Sequence, residues 1–158
     1  MPKDSKVFLL ELEFKTQGKI RGSSTKNKGS RDSSAGIECH GFEFGVVAPY
    51  DASSGLPTGK RQHKPISISR EVDSASPLLW HALCTNESFQ SATLSFFKPS
   101  KGGKETVYHT IELTNGTITK IGYARPVRGK RCESLTIQYE ELSMDGTKGG
   151  IVPHTLIG

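Results

Sequence analysis

Cysteine is scarce: the 158 residues hold three, Cys39, Cys84 and Cys132, odd in number and widely spread. That excludes a disulfide framework and fits reduced, structural thiols in a protein folded in the cytosol. Long apolar runs are missing as well. The first such run, residues 7–12, falls far short of the roughly 20 residues a membrane-spanning helix needs. No signal peptide is expected from this start, and export by the ordinary secretory route is not expected either. Asn86-Glu87-Ser88 and Asn115-Gly116-Thr117 therefore read better as turns than as glycosylation sites.

Catalytic signatures are equally thin. There is no G-x-S-x-G elbow and no H-E-x-x-H pair. Residues 55–60 share letters with a phosphate-binding loop, but the spacing is wrong and Arg61 stands where Ser or Thr would hold magnesium. Ser23-Ser24-Thr25-Lys26 fits S-x-x-K by letter yet lies in a basic loop without partner motifs. Cys39 and His40 are neighbours on a strand, so their side chains leave opposite faces and cannot share an ion. His109 sits on the apolar side of its strand and reads as a hydrogen-bonded core residue, and His63 as a contact or solvated residue. The expectation is a non-enzymatic chain with no catalytic centre, no cofactor and no metal.

Acid is absent where base is dense. Residues 15–31 carry Lys15, Lys19, Arg21, Lys26, Lys28 and Arg31 without one carboxylate, and Arg125, Arg128, Lys130 and Arg131 form a second cluster within a formal net charge of +5. Solvated loops are the plain reading; a patch for nucleic acid or an acidic partner is the sharper one. The alternative function is thus a basic β-barrel that binds single-stranded nucleic acid. Tyr108 and Phe97 do not cluster with the basic loops, so the charge comes without a stacking platform.

What is plentiful is alternation. Leu10, Leu12 and Phe14 alternate with Glu11 and Glu13; Phe42, Phe44 and Val46 with Gly41, Glu43 and Gly45; Ile66 and Ile68, and further on Val72, with Ser67, Ser69 and Glu71. Leu94 and Phe96, then Val107, Ile111 and Leu113, then Leu135, Ile137 and Tyr139 repeat the pattern. Strands with one dry and one wetter face build antiparallel sheets. Ile118 and Ile121 break parity, which predicts a bulge near Lys120. Asn115-Gly116 and residues 101–104 read as hairpin turns. One helix is predicted, with Ser76 as cap, Pro77 in the first turn, a stripe of Leu78, Leu79, Ala82 and Leu83, and Trp80 as anchor to the core. Asn86 ends it in a left-handed turn. A single domain over residues 1–158 follows from the length. Residues 22–36 read as a Ser/Gly/Lys loop, and residues 49–65, with three prolines, as an ordered protrusion that touches a partner.

Those residues carry a resemblance. Pro49-x-Asp51, then Ser54-Gly55-x-Pro57-Thr58-Gly59-x-Arg61-x-His63-Lys64-Pro65, resembles the long loop and following strand of haemolysin-coregulated proteins (Hcp), the inner-tube subunits of type VI secretion systems. Ser76-Pro77-Leu78-Leu79-Trp80-x-Ala82-Leu83 is similar to the family's single helix, and residues 15–23 to its first turn. The likeness covers residues 13–142. It implies a mainly β fold: a flattened antiparallel β-barrel of two sheets with one short flanking α-helix and a long extended loop. It also implies homo-hexameric rings that stack into a tube, with sheath, spike and effector proteins as partners, small effectors in the lumen, and no membrane insertion. The subunit would assemble in the cytoplasm and leave on sheath contraction without a signal peptide. The loop residues Asp51, Ser54, Gly55, Pro57, Thr58, Gly59, Arg61, His63 and Lys64 would meet a neighbouring subunit or ring, and Pro77, Leu79, Trp80 and Leu83 would pack the helix. The chain ends at Gly158 with no added toxin domain, which argues against a fused effector.

Overall fold

In a computed structural model, which describes residues 7–20, 22, 36–59, 62–99, 102, 105–146 and 154–157, period-two alternation becomes strand after strand. They are β1 (Phe8–Phe14), β2 (Gly18–Ile20), β3 (Ile37–Cys39), β4 (Gly41–Glu43), β5 (Val46–Val47), β6 (Gln62–His63) and β7 (Ile66–Glu71). The helix α1 (Ser76–Cys84) follows, then β8 (Ser88–Pro99), β9 (Glu105–Val127), β10 (Lys130–Gly146) and β11 (His154–Ile157). Leu10, Leu12, Phe14, Ile66, Ile68, Leu94, Leu113, Leu135 and Ile137 are all buried in one apolar cluster.

The main sheet is antiparallel, in the order β2-β1-β8-β9-β10-β7-β4, with β3 on β1 and β11 on β10. The segment 37–43 bends between its two short strands. Its first half pairs with β1, its second half pairs with β7, and the His40 N–H donates to Ser69 O at 2.9 Å. The path of pairing therefore returns on itself, as in a flattened barrel. The two long strands are shared between its walls: β9 pairs with β8 as far as Thr117 and continues along β10 beyond that point, while β10 meets β7 over 132–137 and β11 over 141–144. At the changeover Thr136 faces Lys120 and Ile137 faces Ile118, so Thr119 is the extra residue and the bulge lies where parity broke.

Asn115-Gly116 is not a turn. The strand runs straight through it, with Gly116 opposite both Phe89 and Tyr139, although Asn115 takes φ +54°. The glycine is there for closeness: a Cβ on Gly116 would lie 2.1 Å from Gln138 O and 2.6 Å from the Phe89 ring. Because the first obstacle is backbone, Gly116→Ala should destabilise the fold by about 2–3 kcal/mol, read as a lower urea midpoint with an unchanged slope. The turn that sequence reasoning missed is Arg128-Gly129, a two-residue link between β9 and β10 with φ +55° and +77°. Positive φ at both central residues matches the right-handed twist of a hairpin. The basic stretch read as a loop at 125–131 is thus a strand end, a tight turn and a strand start. Most of the hairpin turn expected at 101–104 lies outside the described residues; the strands before and after it pair, Pro99 opposite Glu105. Most of the loop expected at 22–36 lies outside the described residues.

The helix α1 spans nine residues and buries Ser76, Leu79 and Ala82, with Leu83 partly buried against the core. Two expectations for it need correcting. Leu78 is exposed rather than part of the stripe, and Ser76 is the first helical residue instead of a side-chain cap. Ala75 holds the N-cap position without a side-chain cap, and just ahead of it the Asp73 carboxylate accepts from the Ala75 N–H at 2.8 Å. Asn86, at φ +58°, ends the helix in the left-handed turn expected.

Candidate functional site

Val46 was expected on the core face and is exposed instead. It begins an arm. β5 and β6 form a separate two-stranded sheet, Val46 opposite His63 and Val47 opposite Gln62, and Tyr50 bridges Pro57 further out. The chain between is ordered by its own backbone: Asp51 N–H donates to Leu56 O at 2.8 Å, Gly55 N–H to Asp51 O at 2.7 Å, and Thr58 N–H to Pro49 O at 2.9 Å. Gly55 and Gly59 take φ of +73° and +72°, which glycine adopts without strain. Asp51 accepts the hydroxyls of Ser54 at 2.9 Å and of Ser53 at 3.2 Å. These bonds, Ser54's first, hold its carboxyl below the usual aspartate range.

The base of the arm is fastened to the barrel by Tyr139. Its hydroxyl donates to Lys64 O at 3.4 Å and stands 3.3 Å from His63 Nδ1, while Phe44 packs edge-on against its ring. Burial pushes the Tyr139 phenol up to about 12, so it remains a donor at neutral pH. Lys64 N–H closes the junction on Gly45 O. Of the loop residues predicted to form an interface, Asp51, Ser54, Gly55, Pro57, Thr58 and Gly59 share the outer arm, His63 and Lys64 mark its root, and Arg61 lies outside the described residues. The arm's apolar side chains are the exposed ones: Tyr50 is 68% accessible and Leu56 63%, with Val46 and Val47 also open. A lone two-stranded ribbon is marginal in water, so such an arm calls for a surface to lie on.

On the helix side, Pro77 is exposed in the first turn while Leu79 is fully buried. Trp80 anchors through polarity as well as bulk: its indole N–H donates to Glu133 Oε1 at 2.9 Å and its ring meets Tyr123 edge-on. Glu133 was missed by sequence reasoning, as was Arg70, and both are 0% exposed. Arg70 pairs with Glu133 and with Asp73, and Ser76 Oγ donates to Glu133 Oε2 at 3.0 Å. The signal was present, since position 70 is the next inward place after Ile66 and Ile68. At the other end of α1, Glu87 accepts the N–H groups of Thr16 at 2.8 Å and Gln17 at 2.7 Å, tying down the first turn.

The described residues hold no group of three or more potential metal ligands. His109 is half-buried and stacked on Phe96. Cys39 is buried, which pushes its thiol up to about 12, and Cys132 lies 3.7 Å from His40 Nε2. Among the described residues no helix is long and apolar enough to cross a membrane.

Residues 12–145 match the family model described as "Type VI secretion system effector, Hcp". The chain belongs to the Hcp family. A curated relative, the major exported protein of Pseudomonas aeruginosa, is 36% identical over 85 residues, 54% of this chain and 49% of that protein. The match therefore spans about half the length of this relative. Among solved structures, the Hcp1 protein of E. coli superposes with a TM-score of 0.82 at 27% identity, over 96% of this chain and 97% of that one. The secreted protein Hcp3 of Pseudomonas aeruginosa gives 0.76 at 19% identity, over 97% and 98%, which speaks for the fold alone. The Hcp fold is thus reached from two directions, by sequence family and by shape.

Proposed function

We propose that this chain is a non-enzymatic structural subunit, one domain throughout, that forms hexameric rings stacking into the inner tube of a type VI secretion system. The observation that carries this is the arm of β5, β6 and the loop between them, ordered by its own hydrogen bonds yet exposing Tyr50 and Leu56 on a domain of the Hcp family. In this reading Asp51, Ser54, Gly55, Pro57, Thr58, Gly59, Arg61, His63 and Lys64 meet a neighbouring subunit or ring, and Leu79, Trp80 and Leu83, without the exposed Pro77, hold the helix that braces the wall. Head-to-tail contacts that close on rotation make a ring, and contacts along the axis make a filament. The sheath, the spike and small effectors carried in the lumen would be its partners. Assembly would take place in the cytoplasm, and sheath contraction would send the tube out, in keeping with a relative known as an exported protein. Negative-stain micrographs and sedimentation of the purified chain test the proposal. Ring-shaped particles of hexameric mass are the expected result, and a chain that stays monomeric at high concentration would end it.

A further inference from the structure

The basic end of the β9–β10 hairpin is left over by the tube reading. Between residues 118 and 132 the chain carries Lys120, Arg125, Arg128, Lys130 and Arg131 and no carboxylate. All of these cations are exposed. The next residue, Glu133, neutralises none of them, because it is buried and engaged by Arg70, Ser76 and Trp80. By register the exposed Glu71 lies opposite Cys132, one residue beyond Arg131. The hairpin also stands clear of the barrel. β8 stops pairing with β9 at Thr117 and β7 stops pairing with β10 at Cys132; beyond that, the Val72 N–H donates to Arg131 O at 3.0 Å and α1 reaches the hairpin through Trp80 on Tyr123. It is stiff, with a two-residue turn at Arg128-Gly129.

We propose that this hairpin tip is a docking site for a carboxylate-rich surface of a partner protein. Arg125 and Arg131 supply planar, fork-shaped donors that match carboxylates in pairs. Tyr123, 64% exposed, holds the Arg131 guanidinium over its ring at 5.4 Å and gives the patch an aromatic anchor beside its charge. Nucleic acid is the poorer fit. Successive bases need successive rings, and this tip offers one, already shared by Arg131 and Trp80. The docking site does not require the ring, so it stands or falls apart from the tube reading.

The test is fluorescence anisotropy of labelled poly-L-glutamate titrated with the full chain at low salt, alongside a single-stranded oligonucleotide. Wild type should bind the polyglutamate. The variant Arg125→Gln/Lys130→Gln/Arg131→Gln should bind it about tenfold or more weakly, whereas Lys15→Gln/Lys19→Gln/Lys98→Gln, with the same loss of charge elsewhere, should stay within about twofold. The substituted hairpin side chains are exposed, so both variants should keep the wild-type circular dichroism spectrum and melting profile. Absence of binding, equal weakening in both variants, or tighter binding of the oligonucleotide than of polyglutamate would overturn the proposal.

Discussion

Deleting residues 53–60 should abolish tubes while sparing the fold. The outer arm contributes nothing to the buried cluster, and its strands form a sheet apart from the main one. Shortening a surface loop also changes its closure entropy little, since even a doubling of length costs only about 0.6 kcal/mol. The deletion should melt within a few degrees of wild type and keep its far-ultraviolet spectrum. Micrographs should show subunits or loose rings instead of stacked tubes, because exposed Leu56 is removed and exposed Tyr50 loses its bridge to Pro57. Tyr139→Phe is the milder companion. It removes the donor to Lys64 O and the partner of His63, and should loosen the root while leaving Phe44 its aromatic neighbour. Tubes that grow normally from the deleted chain would remove the arm from the assembly.

Breaking the buried ion pair should be the most damaging single change to stability. Arg70 and Glu133 are both fully buried, so Glu133→Ala leaves the guanidinium with Asp73 as its one carboxylate partner and leaves the Trp80 indole N–H and the Ser76 hydroxyl without their acceptor. Losing one partner of such a pair costs about 3–5 kcal/mol, a large fraction of a domain's total stability. The double change Arg70→Met/Glu133→Leu should recover much of that loss, since neither charge then remains to be buried unpaired. Trp80 is the only tryptophan in the chain and touches the pair directly, so its fluorescence reports the urea transition from inside the site. Equal stability of Glu133→Ala and wild type would show that the network contributes nothing to the fold.

The strands were legible because their faces differ: Leu10, Leu12 and Phe14 could only turn inward beside Glu11 and Glu13. The helix was legible from Pro77, the buried Leu79 and the left-handed Asn86. Other features were hidden for physical reasons. Arg70 and Glu133 are charged, and alternation alone cannot show that two charges will share the interior when each is the other's partner. Asn115-Gly116 has the chemistry of a turn, but the Phe89 ring and Gln138 backbone on either side give its glycine a different task. Arg128-Gly129 was masked by the basic residues around it. The arm was legible in its prolines and glycines, whereas its fastening by Tyr139, a residue far along the chain, was not.

The circuit of pairing also dictates the order in which the chain can mature. Phe8 lies opposite Phe96, so the first strand finds its long-range partner only after most of the first hundred residues have been made. Topologies dominated by such distant pairings fold in milliseconds to seconds rather than microseconds. Closure further waits on the segment 37–43 reaching both β1 and β7. Because the root of the arm rests on Tyr139 in β10, the arm is fastened to the barrel only late in synthesis. On the role proposed for the arm, association of half-made subunits would be delayed by the order of translation itself.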